Sequence, residues 1–357
     1  MREVDVLVAG LGPAGASASL SAAKRGLSVA AIERKHAVGV PVQCAEFIPL
    51  PLSAYAQKDE VRVQRITGMK SVLPSGRALQ SNFAGLMIDR SAFDQALAME
   101  AQSHGARLHL NSQLRSLNRM TKTAQVYTSS GLLEFQYKVL IAADGPHSHV
   151  AQQLGLAPLK VVHTRQYTVD LREPYFATDV WLSDAYPGGY AWLFPKGKYA
   201  NLGLGANKVW REDLKTPLDS LHQELVVQGV VGKTIHYRTG GAIPVGGLRE
   251  KLVVDNVLFA GDAAGLTHPI TGAGIATAVI SGERAGQAAA EFINDRDERR
   301  LHDYQEDIRD QFADSLERAL ARRQALEEHW STQASPGKDH LYRSGWIAFP
   351  EYFAQAS

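Results

Sequence analysis

The run Val4-Asp5-Val6-Leu7-Val8-Ala9-Gly10-Leu11-Gly12-Pro13-Ala14-Gly15 decides the architecture of the N-terminal part of the chain. Val4 to Val8 is short, β-branched and apolar, and Gly10, Gly12 and Gly15 come after it in G-x-G-x-x-G spacing. An Ala/Ser-rich stretch then runs to Arg25, with Gly26 placed as a helix C-cap. Ser28 to Ile32 resumes as an apolar strand and ends at Glu33, so one βαβ unit is expected, its strands parallel and central. Each glycine has a steric task in such a unit. The first permits the tight turn, the second lets backbone approach a pyrophosphate, and the third brings helix and strand together. Pro13 and Ala14 open the helix, whose N-terminus offers N–H donors and a positive dipole end. Glu33 is placed to accept the hydroxyls of an adenosine ribose, with Arg34 beside it in the same nucleotide site.

Further along, Val61 to Asn82 reads as an antiparallel hairpin broken at Pro74-Ser75-Gly76, and Ser91 to Ser103 as a helix with Phe93, Leu97 and Ala101 on one face. Lys138 to Ala143 and Val253 to Ala260 read as buried strands, and Gly272 to Ile293 as a small-residue helix suited to close packing. Val161 to Gly205 has the texture of a β-sheet rich in aromatic residues. After Ile293 the chain is charged and helix-forming up to Trp330, then loop-like, an exposed tail.

A chain of 357 residues with 45% apolar content can bury a sizeable core, which excludes disordered and fibrous classes. Lys plus Arg number 38 against 37 Asp plus Glu, and this balance, with no basic stripe, argues against nucleic acid as a partner. Cys44 is the sole cysteine, so no intramolecular disulfide and no cysteine-based metal cluster is expected, and no His/Cys cluster has metal spacing. No apolar run reaches transmembrane length, and the N-terminus lacks the parts of a signal peptide. The expectation is a cytoplasmic protein for which peripheral membrane contact remains open.

Two more motifs complete the first. Leu258-Phe259-Ala260-Gly261-Asp262-Ala263-Ala264-Gly265, followed by Pro269 and by Gly272-Ala273-Gly274-Ile275, resembles the second flavin motif of two-domain FAD oxidoreductases similar to p-hydroxybenzoate hydroxylase. Ala142-Ala143-Asp144-Gly145 with Ser148 resembles the middle motif of that group. Within it, Tyr190-x-Trp192-x-Phe194-Pro195, Asn201-Leu202-Gly203-Leu204-Gly205 and Gln43-Cys44-Ala45-Glu46 resemble the geranylgeranyl reductase family. The resemblance implies FAD as cofactor, with Gln43 and Asp144 near it and Cys44 close to the isoalloxazine. Ser148 is followed by His149, Val150, Ala151 and Gln152 rather than by the arginine common in the group, which leaves the electron donor as NADPH or a ferredoxin-like protein.

Independently of the family, an acid after a buried strand at Asp262 is suited to accept the hydroxyls of a ribityl chain. A helix beginning near Gly272 would favour negative charge on a reduced flavin ring, with Gly272 and Gly274 keeping side chains off it. Cys44 is either a proton donor to a substrate carbon or a small buried hydrophobe. Glu46 is either a second acid/base group or a surface carboxylate. By the resemblance, Arg90 matches a position that contacts the cofactor's phosphates or fixes the loop beside it, with a helix N-terminal salt bridge as the alternative. Tyr190, Trp192 and Phe194 share one face of a strand and line a substrate cavity or fill the core.

The fold expected is α/β: a Rossmann-like FAD-binding domain with an inserted β-rich substrate domain and a short helical C-terminal tail. Residues 1–59, 86–158 and 246–294 are assigned to the FAD domain, 60–85 and 159–245 to the substrate domain, and 295–357 to the tail. The leading function is an FAD-dependent oxidoreductase that delivers a flavin hydride to an unsaturated, largely apolar small substrate. The first alternative is a monooxygenase hydroxylating an aromatic ring, with a Trp side chain of a partner protein in quinone-cofactor maturation as one candidate ring. It draws on the little sequence left after Ile293 to enclose a long chain. The second alternative is a flavin-binding assembly partner that docks through the tail.

Overall fold

The apolar run at the N-terminus has no polar alternation and is buried on both faces from Val6 onward, as a central parallel strand must be. In the computed structural model, which describes residues 1–56, 58–332 and 339–354, it forms the strand Arg2–Ala9. This strand pairs in parallel with Val29–Ile32 on one side and Gly131–Ala142 on the other. Arg107–His109 and Val257–Phe259 extend the parallel order outward. The hairpin Gln113–Asn118 and Thr123–Thr128 on the protruding half of Gly131–Ala142, and Val253–Val254 antiparallel at the outer edge of Val257–Phe259, complete an eight-stranded sheet.

The helices described are α1 (Pro13–Lys24), α2 (Arg90–Ser103), α3 (His149–Gln153), α4 (Lys215–Val227), α5 (Ile275–Asp295), α6 (Arg299–Ser331) and α7 (Asp339–Ser344). α1 and α5 touch through small residues. A Cβ added at Gly282 would lie 2.1 Å from the Ala14 carbonyl oxygen, and one at Gly286 would lie 2.5 Å from that of Ala18. That approach sets the N-terminus of α5 beside the Gly10–Gly15 turn.

A second eight-stranded sheet runs in the order Val231–Thr239, Val161–Leu171, Tyr199–Ala206, Ala191–Lys196, Ala177–Trp181, Gly68–Val72, Ala78–Ser81, with Ala242–Pro244 also on Val161–Leu171. α4 covers its back with Leu218, Leu221 and Leu225 against Leu193, Leu202 and Leu204. The front carries Trp192 and Phe194 in a cluster with Met69, Val180 and Trp346.

Several elements depart from expectation. Val61–Asn82 is not one hairpin: Arg62–Ile66 joins Phe47–Pro49 and Gly85–Ile88 in a small third sheet, and only Gly68–Val72 with Ala78–Ser81 form the hairpin. Val253–Ala260 is likewise split, because Asp255, at φ 51, and Asn256 turn the chain between Val253–Val254 and Val257–Phe259. α5 starts at Ile275, not Gly272, since Gly272 takes φ 69 and the His268 N–H and C=O bond Ala273 and Gly272. The tail is not an exposed appendage. Leu301, Tyr304, Ile308 and Leu316 of α6 are buried, and beyond Trp330 lie α7 and a short 3-10 turn, Pro350–Tyr352, with Tyr342, Trp346, Phe349 and Tyr352 buried.

Candidate active site

The turn after Arg2–Ala9 is held tightly closed. A Cβ at Gly10 would lie 2.4 Å from the Ala143 carbonyl oxygen, one at Gly15 would lie 1.9 Å from that of Gly10, and one at Gly12 would meet nothing within 4 Å. Gly12 is therefore the open point of the turn, and it lines two adjoining cavities. The outer one, about 1090 Å³, is bounded by Leu11, Glu33, Arg34, Asp144 and His147 on one wall and by Arg165 and Arg238 on the other. Glu33 is pinned beside it, its carboxylate accepting N–H bonds from Leu11 at 2.9 Å and Lys35 at 3.0 Å. Asp144 accepts from Val150 N–H at 3.0 Å through one carboxylate oxygen, while the other is buried without a partner. His149 does not line either cavity and bonds the Arg115 carbonyl.

The inner cavity, about 450 Å³, continues from the outer one past Gln43, Arg90 and Asp262, which border both. Pro13 and Ala14 line it, as do Gly272, Ala273, Gly274 and Ile275. Asp262 accepts from the Thr267 hydroxyl at 2.6 Å, and burial raises the pKa of its carboxyl. Gly274 packs over that pair, its added Cβ 3.1 Å from Thr267 Oγ1 and 3.3 Å from Asp262 Oδ1. Gly15, Gly261 and Pro269 border neither cavity. Gly261, at φ 60, sits against Ala14, and the Pro269 carbonyl accepts from Arg323.

The far side is aromatic. Tyr190, Trp192 and Phe194 face the inner cavity together with Phe47, Phe83 and Trp346. Tyr190 donates to the Thr271 carbonyl at 2.6 Å, tying the aromatic strand to the Gly272 loop. Trp192 donates to Gln166, which donates to the Cys44 carbonyl at 3.1 Å. Cys44 opens onto the cavity, yet sits deep enough that burial pushes its thiol pKa up against the lowering pull of Arg90. Glu46 is not at the surface: it is 3% exposed and paired with Lys196 at 2.9 Å. Arg90 opens α2 in a bidentate pair with Asp94, 3.0 and 2.9 Å, while bordering both cavities.

The sequence reading passed over Lys196, although period-two spacing puts it on the face of Tyr190, Trp192 and Phe194, where a lysine is out of place unless paired. His268, Phe312, Leu316 and Trp346 also line the inner cavity and were missed, because they come from the loop and tail segments read as connection or solvent face. Among the described residues no cluster suited to a metal ion occurs.

A family model described as an FAD binding domain matches residues 78–319. The digeranylgeranylglycerophospholipid reductase of Methanocaldococcus jannaschii is 34% identical over an alignment of 359 residues that covers 92% of this chain and 89% of that protein. The chain belongs to the geranylgeranyl reductase family of FAD-dependent oxidoreductases. A geranylgeranyl bacteriochlorophyll reductase-like protein from Thermoplasma acidophilum has the same fold, with TM-score 0.83, 28% identity, and coverage of 98% of this chain and 93% of that one. A probable FAD-dependent monooxygenase from Pseudomonas aeruginosa shares the fold at 17% identity and TM-score 0.71, over 93% of this chain and 99% of that one.

FAD is the cofactor of this reductase-family chain, and the residues present fit it. The outer cavity offers a glycine whose missing side chain leaves backbone N–H groups approachable, a fixed Glu33, and a buried Asp144 oxygen without a partner. The inner cavity offers Asp262 and a flat wall of glycines at the start of α5.

Proposed function

We propose that this protein saturates carbon–carbon double bonds of an isoprenoid lipid. One observation carries the reading: the inner cavity is walled by Phe47, Phe83, Tyr190, Trp192, Phe194 and Trp346 opposite the Gly272–Ile275 loop, a shape for a slender apolar chain beside a flat ring. In the proposed assignment, Gly12, Glu33, Arg34 and Asp144 hold the adenosine diphosphate half of FAD, and Asp262 with Gly272 to Ile275 holds the ribityl and ring half. Bound and reduced, FAD supplies the hydride. Saturating a double bond also needs a proton at the second carbon. Cys44 opens onto the cavity, and its raised pKa keeps the thiol protonated at neutral pH, the form in which it donates. Arg90 then lies against the sulfur that is left with negative charge. α6 and the segment after it close the outer side with Phe312, Leu316 and Trp346 and exclude water from the reacting carbons.

The relatives named as reductases of digeranylgeranylglycerophospholipid support this substrate class. The shortage of sequence that had favoured a hydroxylase loses its weight, because the tail itself supplies cavity wall. No described helix is long and apolar enough to cross a membrane. The test is a single turnover: protein reduced with dithionite under argon is mixed with a geranylgeranylated lipid and the product weighed by mass spectrometry. Gain of two hydrogens per double bond is expected. Unchanged lipid, or uptake of labelled oxygen on air admission, overturns the reading.

A further inference from the structure

We infer that Lys196 and Asn201 are positioning residues that hold Glu46 as a buried anion, and that this anion fixes the Cys44 turn against the flavin and substrate cavity. Glu46 takes φ 68, a left-handed backbone that a residue with a long side chain adopts only under restraint. The restraint is visible. Glu46 Oε1 accepts from the Arg90 backbone N–H and from Lys196 Nζ, both at 2.9 Å. Oε2 accepts from Lys196 Nζ at 2.9 Å and from Asn201 Nδ2 at 3.0 Å. Asn201 also reaches the Ala45 carbonyl at 3.3 Å, and the Glu46 backbone N–H donates to Cys44 Sγ at 3.2 Å.

Two strands of the second sheet therefore grip one turn of another layer. Lys196 and Asn201 come from the paired strands Ala191–Lys196 and Tyr199–Ala206, in which Phe194 stands opposite Asn201. The strand that starts the grip also carries the aromatic face: Phe194 lines the cavity, and Lys196 two residues on anchors the turn that carries the thiol. Asp89, the N-cap of α2, lies 3.6 Å from the same ammonium, so one cation serves two carboxylates. With both carboxylate oxygens occupied by donors, Glu46 serves as an anchor. Burial of a charge is tolerated only when such partners are kept, so loss of one partner should release the turn.

The inference rests on the reductase reading for its kinetic arm alone. Cys44 is the only cysteine, so its alkylation by iodoacetamide in the FAD-loaded protein reports the turn without any turnover. Lys196→Met and Glu46→Gln are each expected to raise the alkylation rate at least tenfold. The double variant should be no faster than the faster single, because both remove one interaction. Lys196→Arg, which keeps the charge, should return to within threefold of the wild type. If Lys196→Met yields no flavin-loaded protein, Lys196→Gln is read by the same criterion. On a geranylgeranylated lipid, both single variants should lower kcat while leaving KM within twofold. Alkylation within twofold of wild type in the lysine variant, or two single effects that multiply, overturns the inference. A wild type that turns over no lipid while the labelling effects remain coupled would remove the reductase reading alone.

Discussion

His268 shows how one side chain ties the loop before α5 to the C-terminal segment. Its Nδ1 accepts N–H bonds from Ile270 at 3.3 Å and Thr271 at 3.2 Å, and its Nε2 meets the Tyr352 hydroxyl at 3.2 Å. Burial lowers its pKa from 6.5 to about 4. The unfolded chain therefore takes up this proton first, and the folded state loses stability as pH falls from about 6.5 towards about 4, with no change from this group above that window. The midpoint of thermal unfolding, followed by circular dichroism across that range, should fall less steeply for His268→Gln than for wild type; parallel slopes would refute the assignment. At this scale Gly12 and Asp262 were legible from local spacing, and Cys44 from the family resemblance, as residues that border the cavities. The partners of Glu46 were not, since Lys196 and Asn201 lie 150 and 155 residues away in the chain, and no periodicity reports a distance across layers.

Helix α5 owes its place to two glycines at its crossing with α1, where Gly282 and Gly286 leave no room for a Cβ. Gly282→Val is expected to push α5 off α1, destabilise the fold by about 1–3 kcal/mol, and weaken FAD retention through gel filtration, because the loop Gly272–Ile275 moves with the helix. Retention equal to wild type would show that the crossing does not position the cofactor loop. Elements of this kind were readable: parallel strands buried on both faces and a helix of small residues announce themselves by composition. Short strands did not. Val253–Ala260 read as one apolar run although Asp255 and Asn256 turn it, and Arg62–Ile66 was assigned to the hairpin although its partner is Gly85–Ile88, because pairing is decided by segments that approach from elsewhere.

For the molecule as a whole, the C-terminal segment is part of the wall of the inner cavity. Arg323 of α6, 3% exposed, donates to the carbonyls of Pro269 and Gly188 at 3.1 and 3.0 Å, and so bridges the loop before α5 and the approach to the aromatic strand. The charge-rich composition of residues 299–331 concealed this, since a solvated face and a buried stripe share one helix. A chain ending after Thr332 loses Tyr342, Trp346, Phe349 and Tyr352 from the apolar cluster and from the loop. Equilibrium binding of a geranylgeranylated lipid should weaken at least tenfold in that truncation; unchanged lipid affinity would mean that the tail is dispensable to the chamber. The most direct measurement of the central claim is the stoichiometry of one anaerobic turnover, flavin absorbance recovered against double bonds lost. One double bond saturated per flavin reoxidised is the predicted result, in wild type and without oxygen. Flavin that stays reduced beside every prenyl lipid offered, yet reoxidises in air with oxygen entering an aromatic substrate, would contradict it.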